Sequence, residues 1–158
     1  MNFQVRRSAI PDAIALAPRL RASDVKELLA AGSENAEDAL LQSLRDSDTD
    51  FCFTAELDAG PEVMFGAGNL DTNNNMGHIW MLGTDRIYEN PRNFMDHCWH
   101  HLALFHTRYT YLTNFVSCEH VAANRWMRKL GFDPVQFTRN YGPHGHPFIQ
   151  YISEADHV

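Results

Sequence analysis

Positive charge is scarce in this chain. Only Lys26 and Lys129 are lysines among 158 residues, and the formal net charge is −7 at pH 7. With no basic stripe to attract a phosphate backbone, a nucleic-acid partner is excluded, and a basic protein or peptide suits the charge better. Cysteine is sparse as well. Cys52, Cys98 and Cys118 make an odd set without a CxxC pair, which excludes a disulfide framework and points to reduced thiols in a cytoplasm. No hydrophobic run approaches the ~20 residues of a membrane span, and Met1 to Arg7 lacks the apolar core of a secretory signal. A cytoplasmic protein without membrane contact is therefore expected. No repeat, low-complexity tract or linker interrupts the chain, so residues 1–158 are expected to form one domain.

What is present is a regular alternation of periods. Phe3 to Arg7 alternates as a strand. Pro11 and Asp12 then open a helix with Ala13, Ile14, Leu16 and Ala17 on its apolar stripe. Ser23 is the expected cap of a second helix, carrying Val25, Leu28 and Leu29 and stopped by Gly32. A third runs from about Asn35 to Arg45. From Phe51 to Leu57 the period becomes two, the segment 58–61 turns, and Glu62 to Leu70 returns as a hairpin partner. Gly66 and Gly68 inside that strand signal a bulge or the close approach of another backbone. Gly77 to Gly83 reads as a buried central strand. Asn90 caps and Pro91 starts the longest helix, Arg92 to Thr107, with Phe94, Cys98, Leu102 and Phe105 inward. Strands Tyr111 to Val116, Val135 to Tyr141 and Pro147 to Ile152 follow, the last closing the sheet. The aromatics Trp99, Phe105 and Trp126 are read as core.

Several polar clusters invite a chemical reading. His97 and His101 share a helical face at i, i+4, as do Asp96 and His100, a spacing zinc can use. No HExxH glutamate or third ligand accompanies them, so no metal is expected and that face is read as solvated. Cys118 beside His120 is read as a core-edge thiol rather than a nucleophile.

The segment Phe115 to Phe132, FVSCEHVAANRWMRKLGF, carries the sharpest signal. A strand end, a polar corner and a helix with Val121, Ala123, Trp126, Met127 and Leu130 at helical spacing stop at Gly131, and Phe132 returns to the core. Ala123 to Phe132 resembles the late N-x-x-A … Y-x-x-x-GF motif of the GNAT N-acetyltransferase superfamily, and the order of elements resembles it over nearly the whole chain. Ile79 to Asp85, Arg125 to Phe132 and Tyr141 to Phe148 are similar to a bacteriophage branch that includes relatives of an internal virion protein. The resemblance implies an α/β (α+β) fold: a mixed, mostly antiparallel sheet of about seven strands flanked by four or five helices. It implies acetyl-CoA as acyl donor, lying where the fourth and fifth strands splay apart, and direct attack by an amine, with a host protein as one acceptor.

By the same resemblance, Leu82, Gly83 and Thr84 pair with the pantetheine, and a nearby backbone N–H polarises the thioester carbonyl. Asn90, Arg92 and Asn93 start the helix that takes the pyrophosphate, Arg86 stands at the first position of the phosphate loop, and Asn124 is a further cofactor contact. Two departures stand out. No glycine lies between Arg86 and Pro91, and the motif's asparagine and tyrosine fall on His120 and Met127, the latter unable to donate a proton. Asp85 first, then His78 and His120, are the candidate catalytic groups. A rival expectation is a catalytically silent virion or host-interaction protein of the same fold. Val135 to Tyr141 with Phe148 to Ile152 offers apolar area for a homodimer.

Overall fold

The computed structural model describes residues 2–58 and 60–155; the turn expected over 58–61 includes residue 59, which lies outside them. Seven strands form one sheet: β1 (Gln4–Arg7), β2 (Cys52–Leu57), β3 (Gly60–Asp71), β4 (Met76–Gly83), β5 (Tyr111–Ser117), β6 (Asp133–Tyr141) and β7 (His146–Glu154). Their spatial order is β1-β2-β3-β4-β5-β7-β6. Every neighbour is antiparallel except β4 and β5, which run parallel. The last strand therefore does not close the sheet. β7 inserts between β5 and β6, and β6, almost wholly exposed, is the edge.

Helices cover both faces because successive strand residues point to opposite sides. On one face α1 (Ile10–Leu16), α2 (Ala22–Ala30) and α3 (Ala36–Asp46) cross the sheet, with Ala13, Leu16 and Leu40 packed on Met64 and Leu82. On the other, α4 (Pro91–His106) and α5 (Val121–Lys129) pack Phe94, Leu102, Phe105, Met127 and Leu130 against Val63, Phe65, Ile79 and Val116.

The cap of α2 differs from expectation. Ser23 sits inside its first turn, and Arg21 holds the N-cap position without a side-chain cap bond. Ile14 and Leu29 face solvent at 52% and 46% exposure, because buried charge takes their place: Asp12 in α1, and Arg21 and Asp24 at the start of α2. Asp12 accepts from the Ala9 N–H (2.8 Å) and from both terminal nitrogens of Arg6 (2.8 Å each), which settles a carboxylate at the positive end of its helix. On α4 the expected faces are also revised. Trp99 is 39% exposed, whereas His101 is buried edge-on against Phe53 and Phe65.

The glycines of β3 mark a close backbone crossing. A Cβ on Gly68 would collide with the Asp46 carbonyl oxygen, and one on Gly66 would lie 2.6 Å from that of Phe51, because the segment after α3 runs over the strand. Gly68→Ala is expected to destabilise the protein by about 3 kcal/mol or more, the upper end for overpacking, because the atoms met are backbone and cannot turn aside. Gly131→Ala meets no atom within 4 Å and carries only the strain of its φ of +92°, about 1–2 kcal/mol. Urea denaturation of the two variants measures the difference; equal losses would remove the crossing as the cause.

Candidate functional site

Strands β4 and β5 touch over three residue pairs only, Met76 with Tyr111, Gly77 with Leu112 and His78 with Thr113. Beyond His78 they diverge, and each leaves backbone groups that no neighbouring strand can satisfy. The register decides which. Thr84 donates its N–H to Glu62 at 2.9 Å, so Thr84, Leu82 and Trp80 turn their amides toward β3, and Met81 and Gly83 turn theirs into the gap. The backbone groups of Leu82 and Thr84, expected to meet a pantetheine, are therefore paired with β3, and those of Met81 face the opening.

Gly83 is already engaged. Its N–H donates to the Asp24 carboxylate (3.0 Å), and its carbonyl accepts from the Arg21 N–H (2.9 Å). The start of α2 is thus bolted onto the end of β4. Around that bolt stands a buried polar network. Arg21 donates to both Asp24 oxygens (3.1 and 2.8 Å) and to the Tyr88 hydroxyl (2.9 Å). His120 caps α5 by accepting the Ala123 N–H on Nδ1 (3.3 Å). That leaves Nε2–H to donate to Asp24 at 2.9 Å. Burial pushes the Asp24 carboxyl up, but the His120 bond, the Arg21 cation and the Gly83 N–H outweigh it and hold it below the usual carboxylate range.

One turn along α2, Glu27 accepts the Ser117 N–H at 3.1 Å, at the end of β5. Its environment acts the other way. Burial pushes its carboxyl up to about 7, with His120 and the Ser117 N–H only partly opposing. Two carboxylates one helical turn apart thus have opposite proton affinities, the arrangement from which acid and base roles are built.

Arg21, Asp24, Glu27, Tyr88 and His120 line one cavity of about 120 Å³ that fills the divergence and continues between the sheet, α4 and α5. Its wall includes the Trp126 indole, whose Nε1–H is buried without a hydrogen-bond partner; the Cys98 thiol beside it is a weak acceptor.

The remaining expected site residues are dispersed. Asp85 is exposed in the 3₁₀ turn Asp85–Tyr88 and does not line the cavity. His78 lies at the closed end of the gap and lines a second cleft with Asp46, Ser47 and Trp80; burial holds its imidazole below the usual range. Arg86 is bound to Glu89, Asp58 and Glu62. At the start of α4, Pro91 has no N–H, Asn93 donates its own to the Asn90 side-chain oxygen (3.3 Å), and the Asn93 side-chain amide oxygen accepts from the Phe3 N–H. Arg92 is exposed there. Asn124 is fully used in fastening α5: it donates to the Ser117 and His120 carbonyls (2.9 Å each) and accepts from Tyr151 (2.7 Å). Burial raises the Cys118 thiol, which removes it as a ready nucleophile. Among the described residues no group of three or more His, Cys, Asp or Glu could hold a metal ion, and no helix is long and apolar enough to cross a membrane.

Sequence reasoning missed Arg21, Asp24 and Glu27. Their spacing at i, i+3 and i+6 was the available signal, since it places three charged groups on one helical stripe.

No family model and no curated protein matches the chain. Solved structures do. A GNAT-family acetyltransferase from Bacillus anthracis superposes with a TM-score of 0.72 at 14% identity, covering 99% of this chain and 96% of that one. The ribosomal-protein-S18-alanine N-acetyltransferase of Escherichia coli gives 0.67 at 14%, over 97% and 94%. The yncA protein of Salmonella typhimurium, solved with its cofactor acetyl-CoA, gives 0.67 at 8%, over 100% and 96%. The architecture is the GNAT fold.

Proposed function

We propose that this chain is an acyl-CoA-dependent N-acyltransferase that moves an acyl group onto an amine of a protein or peptide in one direct step. The observation that carries the reading is the parallel strand pair that opens after His78, with a carboxyl of raised proton affinity, Glu27, at its mouth. The opening offers a pantetheine arm hydrogen-bond partners. Met81 turns a backbone donor and acceptor into it, and the unpartnered Trp126 N–H supplies a donor for an amide carbonyl. The amine nitrogen attacks the thioester carbonyl; a C–N bond forms, the C–S bond breaks, and Glu27 takes the amine proton. Tyr88, held by Arg21, is the proton donor to the departing thiolate that Met127 cannot be. His120 and Asp24 act as positioning residues. Glu27 therefore takes the base role expected of Asp85 or His78, and the acidic chain favours a cationic acceptor.

Calorimetric titration with CoA and acetyl-CoA tests this. Binding is expected, with a stabilisation of about 2.7 kcal/mol at a ligand concentration a hundred times Kd. No heat and no thermal shift at millimolar ligand would sink it. A second reading, a GNAT-fold virion or host-interaction protein without acyl transfer, draws on the start of α4, where Pro91 and the Asn90–Asn93 bond leave few amides for a pyrophosphate. Under it neither ligand binds.

A further inference from the structure

The cavity does not stop where an acetyl group would. Along α4 its lining residues are Pro91, Phe94, Cys98, Leu102 and Phe105, a stripe of fourteen residues' rise, about 21 Å at 1.5 Å per residue. Sideways it passes beneath β4 to Phe65 and Gly66 of β3, one strand beyond the divergence. A thioester held at Met81 needs only the near end of this space. The far end is walled by Phe65, Leu102 and Phe105, and its one titratable group, His101, donates Nδ1–H to the His97 carbonyl at 2.7 Å and is kept below its usual range by burial. The cavity as a whole measures about 120 Å³; its charged lining, Arg21, Asp24, Glu27 and His120, stands at the donor opening, and the far end carries none of it.

We infer that this inner chamber is an acyl-chain pocket, and that the preferred donor carries a medium-length alkyl chain of the hexanoyl class rather than acetyl. The inference rests on the acyltransferase reading. The chamber is continuous with the donor opening, its walls match an alkyl chain, and no buried charge along it would need a partner from the ligand. Each methylene taken from water into the chamber tightens binding about fourfold, the factor equivalent to ~0.8 kcal/mol.

The test is a binding ladder on the intact protein with CoA, acetyl-, butanoyl-, hexanoyl- and octanoyl-CoA, measured by calorimetry. Affinity is expected to climb about fourfold per added methylene, on the order of 250-fold over the four methylenes from acetyl to hexanoyl. A ladder flat from acetyl onward, or one that falls at butanoyl, overturns the chain pocket while leaving the acyltransferase reading intact. Failure of every ligand, CoA included, overturns both.

Discussion

Asp24→Ala is expected to cost about 3–5 kcal/mol of stability, the range for breaking a buried ion pair from one side. At ~2–4 °C per kcal/mol for a chain of this size, that is a fall in Tm on the order of 10 °C. The substitution strips Arg21 of both carboxylate bonds while the guanidinium stays buried, and it also releases His120 and the Gly83 N–H. Asp24→Asn, which keeps the shape and one acceptor, should lose less. The effect is pH-dependent with a definite sign. The folded protein holds the Asp24 proton less tightly than the unfolded chain, so the contribution is complete above the unfolded value of about 3.9 and vanishes as pH falls through the lower folded value. Guanidinium denaturation of wild type and variant at pH 7 and near pH 3 measures it; a loss under ~1 kcal/mol at pH 7 would mean that the bolt between α2 and β4 carries little.

Glu27→Gln is expected to reduce kcat/KM by about 10²–10⁴, the usual contribution of a general base, while making the protein more stable above neutral pH. Both follow from one fact. Burial raises the carboxyl to about 7, so wild-type rate should climb with pH through that value, and the variant's should not. For stability the sign is opposite to Asp24. The folded state binds this proton more tightly than the unfolded chain, so a penalty accumulates as pH rises from the unfolded value to about 7 and is complete above it. Glutamine, which still accepts the Ser117 N–H, removes that penalty, a gain of up to about 3 kcal/mol at pH 8. Undiminished turnover would take the base role from Glu27, and an unchanged Tm at pH 8 would show that its carboxyl is solvated.

Much of the frame was legible in the residues. The helix that became α5 announces itself by Trp126, Met127 and Leu130 at helical spacing. Its stop is the expected one, with Gly131 at φ +92° and the Phe132 N–H returning to the Met127 carbonyl at 3.0 Å. Asn90 and Pro91 start α4 as composition requires. The site was less legible. Asp85 and Arg86 follow the strand directly, yet a 3₁₀ turn sends Asp85 to solvent and ties Arg86 to three carboxylates. Met81 rather than Leu82 faces the opening because a strand alternates its amides with a period of two, and the phase of that alternation is set by pairing with β3.

Charged residues at the start of a short helix read locally as solvent contacts. Arg21 and Asp24 are buried, and Glu27 half-buried, only because β4, β5 and the cap of α5, far along the chain, bring Gly83, Ser117 and His120 against them. Local chemistry, meaning periodicity, caps and helix stops, is written in neighbouring residues, and with it the sequence by itself determined the elements and their order. Burial and proton affinity depend on who stands opposite, so only the tertiary structure could decide that one carboxylate of α2 is a fastener and the next holds its proton to near pH 7.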